Sequence, residues 1–290
     1  MNNEISSAEK KKEALRVLIF TVLVFAMSLG IGAYYIKNDL SSFLLMLTPL
    51  TAAVITKLVT KDKPRDLNDL LIVTNFGKAK KYYFYALAIG IIPNLVTGIA
   101  FIAIFGGEYS FGEYFLSEDS KNAAAAIPLM LSESVFLIAI FLGEEYGWRA
   151  FLTPKLEKLM PGWAAMIVQG VIWGMWHKPV LDMGQNFGKS LPFYPYSNYA
   201  LMCVGCIAMG ILLSWLTKKS GSIFPAALCH AALDEFVSLT VIFVPAEIIQ
   251  DEKNLPVFGF SVIAIIPFII IAAYGIVKLI NKPCQEAAAA

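Results

Sequence analysis

Histidine is almost missing from this chain: there are two in 290 residues, His177 and His230. Charge is scarce as well, 16% of residues against about 25% in a soluble domain. With a net charge of +1, no nucleic-acid partner is indicated. Cysteine is sparse: Cys203, Cys206, Cys229 and Cys284. The first three lie in apolar stretches, so a disulfide framework is not expected. The redox-like spacing of Cys203 and Cys206 reads as two small buried helix residues. The nucleophile elbow Gly-x-Ser-x-Gly and the zinc-protease run His-Glu-x-x-His are both absent, and no Ser/His/Asp set presents itself. No internal repeat or low-complexity stretch occurs, which argues against a solenoid and against a transporter built from duplicated halves.

What is abundant is apolar sequence, 58% of the chain. A span needs about 20 mostly apolar residues, and eight stretches qualify, near 15–36, 41–60, 82–105, 123–147, 162–180, 199–217, 222–244 and 257–280. They are continuous rather than alternating, and lipid admits only helices or closed barrels. The expected fold is an all-α polytopic bundle of about eight transmembrane helices. It forms one membrane-embedded domain over 1–286, with Ala287 to Ala290 set outside it as a tail without structural logic. The N-terminus lacks a placed cleavage site, so the first helix is expected to be retained. If the N-terminus is cytoplasmic, 18 of the 23 basic residues fall in inside segments, and only Lys37, Lys121, Lys178, Lys189 and Lys253 fall outside. That asymmetry places both ends in the cytoplasm, and the expected location is the cell membrane. Thr153-Pro154 signals a short amphipathic helix before Pro161-Gly162 opens the fifth span.

Into these spans the sequence places ionisable groups, each costing about 2.5–3.5 kcal/mol at bilayer depth on insertion scales. The fourth span ends in Gly143-Glu144-Glu145-Tyr-Gly-Trp-Arg149, the fifth in Trp173-Gly-Met-Trp-His177, and the seventh carries His230-Ala-Ala-Leu-Asp234. Glu144 and Glu145 point about 100° apart on a helix. Glu145 stands four residues before Arg149, the favourable spacing for an ion pair. Those two are therefore assigned to structural support at the helix end, and Glu144 is left to face inward. His230 and Asp234 share a helix face. A carboxylate, an imidazole and an imidazole with a carboxylate, on three helices, are the parts needed to activate water. The glutamate would take a proton, and the imidazoles would hold the water or oxyanion. Alternatively, Glu144, His177, His230 and Asp234 would bind a divalent metal, zinc foremost, that lowers the water's pKa.

These three runs resemble the signature motifs of the CPBP family, the CAAX prenyl proteases and bacteriocin-processing or immunity membrane proteins also called Abi. The matching features are Glu144-Glu145-x-x-x-Arg149, an aromatic (Trp173) with three residues between it and His177, and His230-x-x-x-Asp234. The resemblance implies an intramembrane endopeptidase acting on a membrane-associated or lipidated peptide. It makes Glu144 the base, gives His177 the water, and assigns the 230/234 pair to the tetrahedral intermediate. The family's descriptions divide between metalloprotease and metal-free glutamate protease. Two positions depart from the pattern: Trp173 stands where phenylalanine is usual, a conservative change, and Asp234 stands where asparagine is frequent. An amide donates to an oxyanion and an ionised carboxylate does not. Asp234 must therefore be protonated, orient His230, or ligate a metal. A non-catalytic immunity or scaffold protein is the competing expectation.

Depth sets a puzzle. At 1.5 Å per residue, Glu144 lies roughly 8 Å from the inner edge of the fourth span and His230 roughly 12 Å from that of the seventh. His177 lies roughly 22 Å along the fifth. They meet only if the fifth span protrudes or tilts, or if the edges move; the site is expected in the cytoplasmic half. Trp163, Trp173, Trp176 and Phe187 are candidates to line the cavity, and the breaker-rich loop 184–198 could cover its outer side.

Overall fold

The computed structural model describes residues 6–38, 43–63, 70–105, 118–242 and 262–279. The described residues are predominantly helical, and no strand occurs among them. In chain order the helices are α1 (Ser7–Asn38), α2 (Phe43–Met46), α3 (Thr48–Val59), α4 (Phe76–Phe105), α5 (Glu118–Glu145), a π-helical segment (Tyr146–Leu152), α6 (Thr153–Leu159), α7 (Gly162–Trp176), α8 (Lys178–Asp182), α9 (Tyr196–Ser220), α10 (Phe224–Ile242) and α11 (Val262–Leu279). Each of the eight apolar stretches is helical where described. Four helical runs are long and apolar enough to cross a bilayer, Ser7–Gly32, Phe76–Ala100, Ile127–Leu159 and Tyr196–Ser220. The rest are shorter or interrupted: the second stretch breaks between α2 and α3, and the fifth breaks at His177 between α7 and α8. The chain is a polytopic helical membrane protein.

The fourth span does not end near 147. The Glu145–Arg149 pair, expected to close the helix end, is formed but lies fully buried within a helix that continues. The helix instead runs on through the π segment into α6, as one apolar run to Leu159. The predicted helix at 153–159 is present, but as a continuation: Leu152 is itself helical and no side chain caps Thr153. The π register is marked by the Thr153 hydroxyl, which donates to the Trp148 carbonyl five residues back at 2.8 Å. Gly147 lets this segment touch α3, because a Cβ there would stand 2.4 Å from Pro49 Cβ.

The moved edge brings Glu144 and His177 to one level. Glu144 lies fifteen residues before Leu159, and His177 fifteen residues after Gly162. Across the turn at 160–161, that sets both at roughly 22 Å from the turn. α7 packs on α9, and α10 packs between α4 and α5; the His230 ring of α10 meets the Trp173 ring of α7 with centroids 5.3 Å apart.

The segments read as cytoplasmic meet at one face. Glu13 and Arg16 of α1, Asp62 after α3, and Lys155 and Lys158 of α6 form a charge network, with Lys155–Asp62 at 2.7 Å, Lys158–Glu13 at 2.8 Å and Arg16–Glu13 at 3.0 Å. Nearby, the Ile223 amide donates to the Leu71 carbonyl and Asn75 to that of Ser220. Burial pushes the Asp62 carboxyl up, but the Lys155 hydrogen bond and the charges of Lys155, Arg16 and Lys57 outweigh it and hold Asp62 below its ordinary range. A carboxylate depressed on folding stabilises above its unfolded pKa of about 3.9 and loses that contribution as pH falls through the folded value. The detergent-solubilised protein should therefore lose thermal stability on acidification below about pH 4. Asp62→Asn should show a shallower loss, measured as unfolding midpoint against pH. Equal slopes would remove Asp62 from the acid response.

Candidate active site

Glu144 closes α5 with only 3% of its surface exposed. Two indoles converge on one of its oxygens: Trp148 Nε1–H donates to Oε2 at 3.3 Å and Trp173 Nε1–H at 3.2 Å. Trp148 is four residues on, along the same helical column. It is wedged by edge contacts with Phe20 of α1, centroids 5.6 Å apart, and Trp176 of α7, 6.0 Å. Both donors act on Oε2, which leaves Oε1 without an indole.

Glu145 points elsewhere, as adjacent helix residues must. Its Oε1 accepts from Arg149 Nη1 at 3.1 Å, the ion pair expected from the spacing, and both side chains are fully buried. The same oxygen lies 2.8 Å from His230 Nδ1. Glu145 is thus not merely a helix-end residue, and the acid on the His230 ring is Glu145 rather than Asp234. Asp234 lies one turn on from His230 along α10 and is exposed.

His177 caps α7, and its Nδ1 lies 2.9 Å from the Trp173 carbonyl. A carbonyl can only accept, so Nδ1 carries the proton and Nε2 keeps its lone pair. The α7 end is pinned where this matters: Trp176 Nε1–H donates to Thr48 Oγ1 at 2.9 Å, and Ser28 Oγ–H to the Trp176 carbonyl at 2.7 Å. Trp173 is the common neighbour. Its indole holds Glu144, its ring lies edge-on to His230 at 5.3 Å and tilted to His177 at 6.1 Å, and the Arg149 guanidinium sits 4.1 Å over it. Glu144, Glu145, Arg149, His177 and His230 therefore meet around Trp173. Glu144, Glu145, Arg149 and His230 are buried, while His177 is partly accessible and Asp234 exposed, so the cluster opens on the side of the last two.

Of the aromatics expected to line a cavity, Trp173 and Trp176 touch the site. Trp163 is exposed by about half, and Phe187 is fully buried elsewhere in the core. The 184–198 connector is held down by Phe187 and by Asn198, which donates to the Gly188 carbonyl at 2.8 Å. Cys203 and Cys206 are free thiols on α9, the second buried.

A metal was expected to draw on Glu144, His177, His230 and Asp234. The two imidazoles have suitable Nε2 lone pairs. Among the described residues, however, no three His, Cys, Asp or Glu side chains converge as a ligand set. The arrangement does not fit a metal centre, and no step below is routed through one.

Two contacts were not read from the sequence. Trp148 sits at helical spacing from Glu144 and could have been found; Trp173 reaches Glu144 from another helix. Trp173 is consequently more than a conservative stand-in for phenylalanine, which has no N–H to give. Hydrogen bonds to charged groups contribute about 1.5–3 kcal/mol. With two donors on one oxygen, either covers for the other. Trp173→Phe or Trp148→Phe alone should lower kcat less than about threefold, and the pair together about 10–100-fold, more than the product of the two single losses. Strictly multiplicative single effects would show that the indoles do not share the carboxylate.

A family model described as Type II CAAX prenyl endopeptidase Rce1-like matches residues 126–236, the stretch that carries all three motifs. The chain is 25% identical over 232 residues to CAAX prenyl protease 2 of Methanococcus maripaludis, covering 76% of this chain and 82% of that protein. It is 23% identical over 280 residues to Lysostaphin resistance protein A of Staphylococcus haemolyticus, covering 94% of this chain and 70% of that protein. Residues 126–236, with Glu144, His177 and His230 gathered around Trp173, are thus similar to the Rce1-like CAAX prenyl endopeptidases, in line with the resemblance of the three motifs.

Proposed function

We propose that the protein is an intramembrane endopeptidase that hydrolyses a peptide bond of a membrane-associated or lipidated substrate, with Glu144 as general base. The observation that supports it best is the convergence of one indole-held carboxylate and two imidazoles around Trp173. Water is held by the His177 Nε2 lone pair, and Glu144 Oε1 removes its proton. The water oxygen bonds to the scissile carbonyl carbon, and the carbonyl π pair moves onto oxygen. His230, whose Nδ1–H faces the Glu145 carboxylate, stabilises that oxyanion as an imidazolium through Nε2–H. The proton on Glu144 then passes to the amide nitrogen as the C–N bond breaks, leaving a carboxylate-bearing fragment and an amine. Asp234 lines the accessible side; as an oxyanion donor it would have to be protonated. The membrane it acts in is, on this reading, the cell membrane.

The test is a comparison of peptides and new protein termini in the native host carrying wild type or Glu144→Gln at matched expression. Termini present only with wild type support proteolysis and reveal the substrate. Cleavage by purified protein should persist in a chelator such as 1,10-phenanthroline; its loss, restored by zinc, would overturn the metal-free chemistry. A second reading, a non-catalytic immunity or scaffold protein, draws on Asp234 and on the relative named for lysostaphin resistance. It predicts no difference in termini and a phenotype that survives Glu144→Gln.

A further inference from the structure

Behind the Glu145–Arg149 pair lies a set of buried polar atoms that the chemistry above does not use. Arg149 is 2% exposed and Gln169 of α7 is wholly buried. Arg149 spends Nη1 on Glu145, but its Nε and Nη2 have no hydrogen-bond partner among the described residues; neither have Oε1 and Nε2 of Gln169. Leaving such groups unpaired costs about 1–3 kcal/mol each, and buried polar atoms are paired in most proteins. The two side chains are neighbours. The point where a Cβ of Gly210 would stand is 2.5 Å from Gln169 Oε1 and 3.9 Å from Arg149 Nη2. Gln169 Oε1 is an acceptor, and Arg149 has only donors. A small side-chain rotation, or one bridging water, joins them.

We propose that Gln169 is a positioning residue for this site, its carboxamide completing the donors of Arg149 and so fixing Glu145 and, through it, the ring of His230. The relay runs from α7 through the π segment and the end of α5 to α10, and each later link is a direct contact: Arg149 to Glu145 at 3.1 Å, Glu145 to His230 at 2.8 Å. Gly210 is part of the device. It is helical on α9, and its missing side chain is the space the Gln169 amide occupies. Alanine there adds a Cβ that meets only the far end of a flexible side chain and Arg149's edge, so it displaces the carboxamide without disturbing the backbone. Alanine also favours helix over glycine, so the fold is not weakened from that source.

The kinetic arm of the test rests on the protease reading; a second arm does not. With only two histidines in the chain, protein labelled with 15N-histidine and purified without a histidine tag shows two rings, assigned by His177→Gln. In wild type the His230 Nδ1–H signal, bonded to Glu145, exchanges slowly with water. In Gln169→Leu and in Gly210→Ala its exchange should rise at least about tenfold. In the same variants kcat should fall about 10–100-fold with KM little changed, the scale on which a misplaced group costs rate. The double variant should be no worse than either single one. Gln169→Glu, which keeps an acceptor for Arg149, should retain the slow-exchanging signal. If Gly210→Ala leaves both signal and kcat at wild-type values, or if the two losses multiply, the proposal is overturned. Absence of cleavage by wild type would remove the protease reading alone, because the histidine spectra would still decide the role of Gln169.

Discussion

Glu144→Gln should lower kcat by about 10²–10⁴-fold, the usual contribution of a positioned general base, and leave KM within a few-fold. The substitution keeps the size of the side chain and an oxygen to receive the Trp148 and Trp173 indoles, now at 3.3 and 3.2 Å from Oε2. What it removes is the capacity to take a proton from water. A loss confined to kcat marks a group that acts in the transition state rather than in substrate binding. The measurement is steady-state cleavage of a substrate recovered from the host comparison, beside the unfolding midpoint and gel-filtration profile of the same preparation. A monodisperse, wild-type-stable protein that retains more than about a tenth of wild-type kcat would end the role of Glu144 as base.

The parts of this site were legible in the sequence; their wiring was legible only in part. Ionisable groups in apolar stretches stand out because lipid penalises them, so Glu144, Glu145, Arg149, His177, His230 and Asp234 could be picked by position alone. The Glu145–Arg149 pair followed from i,i+4 geometry. The partner of His230 did not: the in-helix neighbour Asp234 was the natural choice, yet Glu145 reaches across from the end of α5 at 2.8 Å. Spacing within one helix says nothing about a side chain arriving from another. The extent of the fourth span was misjudged for a related reason. The Glu145–Arg149 pair was read as a helix end, and here its two charges cancel inside the bundle at full burial. Continuing the helix to Leu159 lifted Glu144 to the level of His177. The break of the fifth stretch at His177 was foreshadowed by Pro179, whose ring disfavours a continuing helix. Gln169 and Gly210 left no signal at all, since a lone glutamine and a lone glycine in apolar helices have many uses.

Removing Arg149 should be the most damaging single change to the fold. Arg149→Met retains much of the side-chain volume but leaves the Glu145 carboxylate wholly buried, facing only His230. Breaking a buried pair by deleting one partner costs about 3–5 kcal/mol, because the remaining charge is uncompensated. Arg149→Lys should not repair it. An ammonium has neither the delocalised head that Arg149 holds 4.1 Å over the Trp173 ring nor its further N–H donors beyond the one on Glu145. The informative comparison is the double variant Glu145→Gln with Arg149→Met. Replacing both members of a buried pair is often neutral or better, so stability should return most of the way toward wild type. Activity should not return with it, since the amide no longer offers His230 the carboxylate that supports an imidazolium. Denaturant unfolding in detergent and cleavage rate, measured on the four proteins of the cycle, separate the two quantities. If activity recovered in step with stability, the Glu145–Arg149 pair would be a scaffold only, and His230 would need no carboxylate to do its work.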